Sequence, residues 1–181
     1  MRVIAGKYGG RRLRSPRGRA TRPTSERVRE ALFSMLGELV GAVVLDLFAG
    51  TGALAIEALS RGAARAVLVE RDARALAALR ANLAELGVEP AQAEVRRGEA
   101  LGALRNARER RETYDLLFVD PPYRHAGALG RELGAALPPL LAPGARVVWE
   151  SDRRTEPPAL PLEVELRRTY GDTAITIHRQ R

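Results

Sequence analysis

The chain has 181 residues, a formal net charge of +8, a hydrophobic content of 45% and no cysteine. This length predicts one domain with a short extension and a core that folds without disulfides, and the missing cysteine excludes thiolate metal sites and cysteine nucleophiles. Because no apolar run approaches the roughly 20 residues of a membrane span and no signal-peptide pattern opens the chain, we expect a cytoplasmic protein without a membrane partner.

The positive charge is concentrated near the N-terminus. Residues 1–30 carry ten arginines and lysines and two acids, whereas the other 151 residues are formally neutral. A basic segment on a neutral body favours contact with a polyanion. An arginine-rich, solvated terminus without a partner is the alternative interpretation.

Two elements are predicted before the main body of the chain. Residues 3–5 and 11–13 flank Tyr8-Gly9-Gly10, a pattern typical of a small hairpin with a glycine turn. Residues 14–22 follow as a loop. A helix then begins after Thr24 or Ser25, either of which can cap it, and ends at Gly37 or Gly41.

The rest of the chain alternates between strand and helix patterns. The antiparallel pair at the end predicts a hairpin across Gly171-Asp172. The whole pattern indicates an α/β, Rossmann-like fold: a mostly parallel seven-stranded sheet with an antiparallel C-terminal strand and helices on both faces. Ligands in such folds bind at the carboxyl ends of the strands. Strands are predicted at 42–47, 66–70, 92–96, 114–119, 145–149, 163–169 and 173–178, and helices at 52–61, 72–86, a short piece after Gly98, and 126–137.

The loop after the first strand contains the first chemical motif, residues 46–52. Gly50 and Gly52 allow the backbone to turn tightly and approach a ligand. The match to G-x-G-x-x-A also fits a dinucleotide site, and glycines needed only for packing are a further alternative. However, the carboxylate of Asp46 disfavours a pyrophosphate at the helix N-terminus and favours a cationic ligand with an amino group, such as S-adenosylmethionine. Glu70, at the end of the second strand, can accept hydrogen bonds from ribose hydroxyls.

This arrangement resembles the first motif of class I methyltransferases, D-x-F-x-G-x-G. The resemblance implies that Asp46, Phe48, Gly50 and Gly52 surround the cofactor. It further implies that Glu99, in the loop after the third strand, contacts the adenine amino group, although aspartate is commoner there. A helix cap formed by a surface acid is the alternative for Glu99.

The fourth strand ends in Asp120-Pro121-Pro122-Tyr123. The prolines hold a rigid, non-helical turn. Asp120 and the Pro121 carbonyl can accept the two hydrogens of an exocyclic amine and free its lone pair, while Tyr123 can stack on a base. The tetrapeptide resembles the [N/D]-P-P-[Y/F/W] signature of amino methyltransferases; a purely structural turn is the alternative. His125 lies just beyond and is not included in the catalytic set.

Several segments together resemble one family. Residues 2–36, with the specific pattern R-P-T-x-x-x-V-R-E-A-L-F, are similar to the bacterial 16S rRNA (guanine-N2)-methyltransferase family RsmD, and the similarity continues through 46–63, Glu70 and 120–123. The resemblance implies methylation of guanine 966 of 16S rRNA, on the rRNA or an assembling 30S subunit. It also implies that Thr24, with Arg22 nearby, lies over the cofactor pocket.

We therefore predict a basic arm (1–22) that contacts RNA and a methyltransferase domain (23–181), acting as a monomer without a metal. Arginine and lysine contacts to phosphate give affinity without sequence choice, and Tyr8 is a candidate for stacking on a base. An adenine-N6 or cytosine-N4 methyltransferase, a nicotinamide oxidoreductase and a non-catalytic RNA-binding assembly protein are the alternatives. The predicted RNA-binding residues are Arg2, Lys7, Tyr8, Arg11, Arg12, Arg14 and Arg22.

Overall fold

The computed structural model describes residues 1–15, 25–121, 126–155 and 158–181. Its strands form one seven-stranded sheet, and their bounds are β1 (Val43–Asp46), β2 (Arg65–Glu70), β3 (Ala93–Arg97), β4 (Tyr114–Val119), β5 (Leu141–Asp152), β6 (Glu163–Tyr170) and β7 (Thr173–Arg179). The spatial order is β3-β2-β1-β4-β5-β7-β6. Strands β1 to β5 are parallel, whereas β7 is antiparallel to both β5 and β6. The predicted fold class is confirmed.

Helices cover both faces of this sheet, with bounds α1 (Glu26–Leu36), α2 (Ala53–Ser60), α3 (Ala73–Leu86), α4 (Ala100–Glu109) and α5 (Ala126–Ala136). Side chains alternate across the strands, so Val44 packs with the core beneath α1, α2 and α3, while Leu45 packs with the core beneath α4 and α5. None of the described helices is both long and apolar enough to cross a membrane.

The predicted helix boundaries rest on local capping. The Ser25 hydroxyl accepts a hydrogen bond from the Val28 amide at 3.3 Å, which makes Ser25 the N-cap of α1. Helix α1 ends at Gly37, whose φ of 65° is in the left-handed region that favours glycine. Of the two alternatives predicted at each end, the structure therefore selects Ser25 and Gly37.

Two elements are longer than their patterns predicted. Helix α4 has ten residues rather than a short turn, because Ala103, Leu104 and Ala107 form a continuous buried stripe. Strand β5 begins at Leu141 rather than at 145, since Leu141 pairs with Tyr114 across an irregular register.

The N-terminal hairpin is reduced to one antiparallel bridge between Arg2 and Arg12. The hairpin ladder is this short because the carboxylate of Glu57 accepts hydrogen bonds from two backbone amides next to the bridge. The amides of Ile4 and Ala5 donate to the carboxylate of Glu57 on α2, at 2.7 and 3.1 Å. These groups consequently bind the domain instead of extending a strand ladder.

Candidate active site

Four predicted site residues lie along one edge of the sheet. Asp46 and Glu70 are the last residues of β1 and β2, while Glu99 and Asp120 follow β3 and β4. These four strands are adjacent and parallel, so their carboxyl ends meet at the same edge. The structure thus brings together the glycine loop and the start of the proline turn, on neighbouring strands.

The glycine loop is fixed to the strands on either side of it. The Leu47 amide donates to the Phe118 carbonyl of β4 at 3.1 Å, and the Ala49 amide donates to the Val69 carbonyl of β2 at 3.0 Å. Phe48, which sits half-buried between them, packs against the core on the α4 and α5 side. The loop is therefore anchored to β4 on one side and to β2 on the other.

The two glycines of this loop have different roles. A Cβ on Gly52 would lie 2.4 Å from Leu79 and 3.0 Å from Ile56, and its φ is 86°. A Cβ on Gly50 would meet only the Phe48 carbonyl oxygen, at 4.0 Å. The interpretation that both glycines admit a ligand stays a prediction, and at Gly52 the packing of α2 against α3 also requires a glycine. Open space lies over Gly50.

Glu70 organises the same edge through backbone hydrogen bonds. One carboxylate oxygen accepts from the Gly50 amide at 2.8 Å, and the other accepts from the amides of Arg71 and Asp72, both at 2.7 Å. Each carboxylate oxygen has two lone pairs and three of the four are used in this way, so one is left to accept from a ribose hydroxyl. The ribose contact itself stays a prediction.

Glu99 is exposed and forms an ion pair with Arg71 at 3.2 Å. It occupies the N-cap position of α4, but its side chain accepts no capping hydrogen bond there. The alternative of a helix cap is therefore not observed, and the adenine contact stays a prediction. Sequence reasoning did not consider Arg71, which links the loops after β2 and β3.

Asp46 is 3% exposed. Its pKa is raised to about 7, mainly by burial; the hydrogen bond from the Phe48 amide at 3.3 Å opposes this rise, and the negative charge of Glu70 adds to it. A carboxyl in this state ionises readily when a cation is placed beside it. The interpretation of Asp46 as a partner for a cationic ligand is consistent with this environment.

Asp120 also has a raised pKa. Burial is the largest cause, followed by the negative charges of Glu150 and Asp46. Pro121 beside it is buried. The predictions for Pro122 and Tyr123, for Thr24 and Arg22 and for the role of His125 concern residues outside the described ranges.

Glu150 is a candidate site residue that sequence reasoning missed. It is 7% exposed, and the register between Val119 and Trp149 places it next to Asp120. Its face of β5 is also that of Val148, in the core beneath α1, α2 and α3. The available signal was an acid at the end of a predicted buried strand, in the same position as Glu70.

The N-terminal segment (residues 1–15) is attached to the domain by buried polar contacts. In addition to Glu57, the Ser60 hydroxyl accepts from the Tyr8 amide at 2.9 Å, and the Ser60 carbonyl accepts from the Lys7 amide at 2.8 Å. Arg29, fully buried, lies 3.7 Å from Glu57. The segment is therefore part of the folded body rather than a separate hairpin.

The predicted RNA-binding residues of this segment differ in exposure and in whether their side chains already contact other parts of the protein. Tyr8 is 5% exposed and belongs to the core, so its ring has no free face for a base, and the stacking prediction is wrong for this arrangement. Lys7 and Arg12 are exposed. The remaining three are engaged with the protein: Arg2 with Glu26, Arg14 with the Glu85 carboxylate, and Arg11 with the Glu85 carbonyl.

Within the described ranges, no cluster of three or more acidic or histidine side chains is arranged to hold a metal ion.

A family model with the description "conserved hypothetical protein 95" matches residues 1–179. The chain belongs to this family. The match covers both the N-terminal segment and the domain. Together with the relatives described next, it confirms the resemblance to the RsmD family that the motifs indicated.

Two curated relatives and one solved structure are similar to this chain. The "Putative rRNA methyltransferase YlbH" of Bacillus subtilis is 38% identical, and the alignment covers both chains completely. The "Ribosomal RNA small subunit methyltransferase D" of Escherichia coli is 42% identical over 68% of this chain and 61% of that protein. The structure of the "Putative methyltransferase yhhF" from Escherichia coli has a TM-score of 0.86 at 35% identity and covers 99% of this chain and 97% of that chain.

Proposed function

We propose that this protein transfers a methyl group from S-adenosylmethionine to the exocyclic N2 amine of a guanine in small-subunit ribosomal RNA. The observation that carries the proposal is the placement of Asp120 beside Asp46, one strand away from the glycine loop. A methyl donor over Gly50 and an amine held at Asp120 would then lie at the same edge of the sheet, at the ends of adjacent strands.

The residues present fit S-adenosylmethionine. The space over Gly50 admits a ligand close to the backbone, Glu70 keeps one lone pair for a hydroxyl, and Asp46 offers a carboxyl that a cation would ionise. When bound, this cofactor supplies a methyl group on a cationic sulfur that leaves as a neutral thioether. Asp46, ionised by the nearby positive charge, would stabilise that cation. The amine nitrogen bonds to the methyl carbon as the carbon–sulfur bond breaks, and the proton that the nitrogen then loses passes to ionised Asp120 or to water.

The target amine needs positioning and two hydrogen-bond acceptors. Its lone pair is delocalised into the base, so acceptors on its hydrogens localise that pair for attack. Asp120 and the Pro121 carbonyl supply these acceptors in the proposal, and the ionised form of Asp120 is the stronger acceptor. Positioning contributes most of the rate acceleration, and the preorganised acceptors contribute electrostatically.

The proposal of ribosomal RNA as the substrate polymer is supported by the names of the relatives and by the surface charge of the N-terminal segment. Two relatives bear names that refer to ribosomal RNA. Lys7 and Arg12 present exposed cations on the N-terminal segment, where contacts with phosphate would add affinity. Guanine 966, an assembling 30S subunit as substrate, the monomeric state and a cytoplasmic location stay predictions.

The test is nucleoside mass mapping of small-subunit rRNA from cells that lack the protein. We expect one N2-methylguanosine to disappear and to return with the wild-type gene but not with Asp120→Ala. Loss of an N6-methyladenosine or N4-methylcytidine instead would assign a different base. An unchanged set of modified nucleosides would contradict the proposal, and restoration by Asp120→Ala would favour a non-catalytic assembly role.

A further inference from the structure

Asn82 is a polar residue in the buried stripe of α3. It is 1% exposed and lies one helical turn from Leu79 and Leu86, both of which are buried in the core. A buried amide on an apolar helix face is costly unless its hydrogen bonds are made. Its contacts therefore indicate why an asparagine occupies this position.

The side chain of Asn82 forms three described hydrogen bonds, all to residues outside α3. The side-chain oxygen accepts from the Arg14 amide at 2.7 Å, and the side-chain nitrogen donates to the Arg14 carbonyl at 3.2 Å and to the Thr51 carbonyl at 2.9 Å. Arg14 lies near the end of the N-terminal segment, and Thr51 lies between the two glycines of the glycine loop. The side-chain amide of Asn82 thus connects the N-terminal segment to the glycine loop.

The connection is tight at both ends. At the loop, the peptide that follows Thr51 presents the Gly52 amide, which donates to the Ala49 carbonyl at 2.7 Å. At the segment, Arg14 is also held by the carboxylate of Glu85, on the same helix as Asn82. A shift of either partner therefore changes the hydrogen bonds available to the other.

We propose that Asn82 is a positioning residue that couples RNA binding at the N-terminal segment to cofactor binding at the glycine loop. The inference rests on the proposed function. A cofactor bound over Gly50 fixes the position of the Thr51 carbonyl and, through Asn82, the position of Arg14, so RNA meets a segment that is already held in its binding arrangement. By linkage, RNA must raise cofactor affinity by the same factor.

The experiment measures this coupling factor with S-adenosylhomocysteine and an RNA oligonucleotide that contains the target guanine in its unmethylated form. RNA affinity is determined with and without saturating S-adenosylhomocysteine, and the reciprocal titration checks the linkage. For wild type we expect about fivefold tighter RNA binding with the cofactor product, at the lower end of common allosteric couplings. In Asn82→Ala the factor falls towards one.

Ser60→Ala is the matched control. The Ser60 hydroxyl also holds the N-terminal segment, through the Tyr8 amide, but it makes no described contact with the glycine loop. We expect Ser60→Ala to weaken RNA binding while the coupling factor is kept. If Asn82→Ala does not fold, Asn82→Asp keeps the size of the side chain and removes both amide donors.

Two results would overturn the inference: a coupling factor of one in the wild type, or an unchanged factor in a folded Asn82 variant. Neither result contradicts the methyltransferase function, because both ligands would still bind. Absence of any S-adenosylhomocysteine binding to wild type would instead contradict the proposed function itself.

Discussion

Asp46 and Asp120 lie at the carboxyl ends of adjacent parallel strands, and the charge of Asp46 contributes to the raised pKa of Asp120. Both are held at an edge where burial disfavours their ionised forms. In the proposed reaction Asp46 is the partner of the cofactor and Asp120 is the partner of the amine, so the pair would connect the two binding sites. A cation bound between them would favour ionisation of both.

Replacement of Asp120 separates transfer from cofactor binding. We expect Asp120→Ala to lower kcat about 100-fold to 1000-fold, the usual effect of removing one preorganised polar partner of the transition state. The affinity for S-adenosylhomocysteine should remain within a few-fold of wild type. Rapid-quench transfer assays and calorimetric titration measure the two quantities, and a loss of cofactor binding would show that Asp120 belongs to the cofactor site.

Replacement of Asp46 tests the titration of the cofactor site. Since a cationic ligand favours the ionised carboxyl, wild-type affinity for S-adenosylmethionine should rise as pH increases through about 7 and then level off. Asp46→Asn should bind about tenfold more weakly at pH 8, which corresponds to one lost charge-assisted contact, and should lose this pH dependence. A variant with the wild-type pH profile would exclude Asp46 as the titrating group.

Glu150 should influence the reaction through Asp120. If the ionised acceptor is required, transfer declines as pH falls through the raised pKa of Asp120. Glu150→Gln removes a neighbouring negative charge, so Asp120 ionises at lower pH and the acid limb of the kcat/KM profile moves to lower pH. Glu163→Gln, at an exposed ion pair with Arg181, is the control that leaves the profile in place. A profile that Glu150→Gln does not move would show that the two carboxyls are not coupled during catalysis.

The two loop glycines should respond differently to alanine. Gly52→Ala combines a positive φ with a contact at 2.4 Å to Leu79, so we expect a loss of about 1–3 kcal/mol in the free energy of unfolding. Gly50→Ala, whose φ is 55°, meets no close atom and should lose about 1 kcal/mol. Its larger effect should be on S-adenosylhomocysteine affinity. Denaturant unfolding and calorimetry distinguish the two, and equal effects on binding would remove Gly50 from the ligand contact.

The exposed cations of the N-terminal segment should contribute to the salt dependence of RNA binding. Each phosphate contact that is lost lowers the slope of log affinity against log salt by about 1. Lys7→Ala and Arg12→Ala should each do so, whereas Arg2→Ala removes a side chain already paired with Glu26 and should change the slope less. Point variants are preferred to a truncation, since Val3, Tyr8 and Leu13 are core residues. Unchanged slopes would remove this segment from the RNA surface.

The central strands could be predicted from the sequence because they are continuous apolar runs buried on both faces, as at residues 66–69 and 116–119. The C-terminal pair was predicted from its alternation of polar and apolar residues. Most of the carboxylates at the edge of the sheet followed from the central strands, since the end of a parallel strand fixes where the next residue lies. This rule and the local chemistry gave the positions of Asp46, Glu70 and Asp120, whereas Glu99 came from the resemblance to class I methyltransferases.

Long-range contacts were beyond that reasoning. The burial of Tyr8 depends on hydrogen bonds to Ser60, 52 residues away, and the need for glycine at position 52 depends on Leu79 of another helix. Asn82 read as one polar residue in a helical stripe, although its partners Arg14 and Thr51 are 68 and 31 residues distant. No periodicity in the sequence reports such contacts.

The central claim is that a methyl donor at the glycine loop faces an amine held at Asp120. The most direct measurement is transfer of labelled methyl from S-adenosylmethionine to a small-subunit RNA fragment by the purified protein, followed by identification of the labelled nucleoside. We expect N2-methylguanosine with the wild type and transfer about 100-fold to 1000-fold slower with Asp120→Ala. Label on protein, on another base, or equal transfer by both proteins would contradict it.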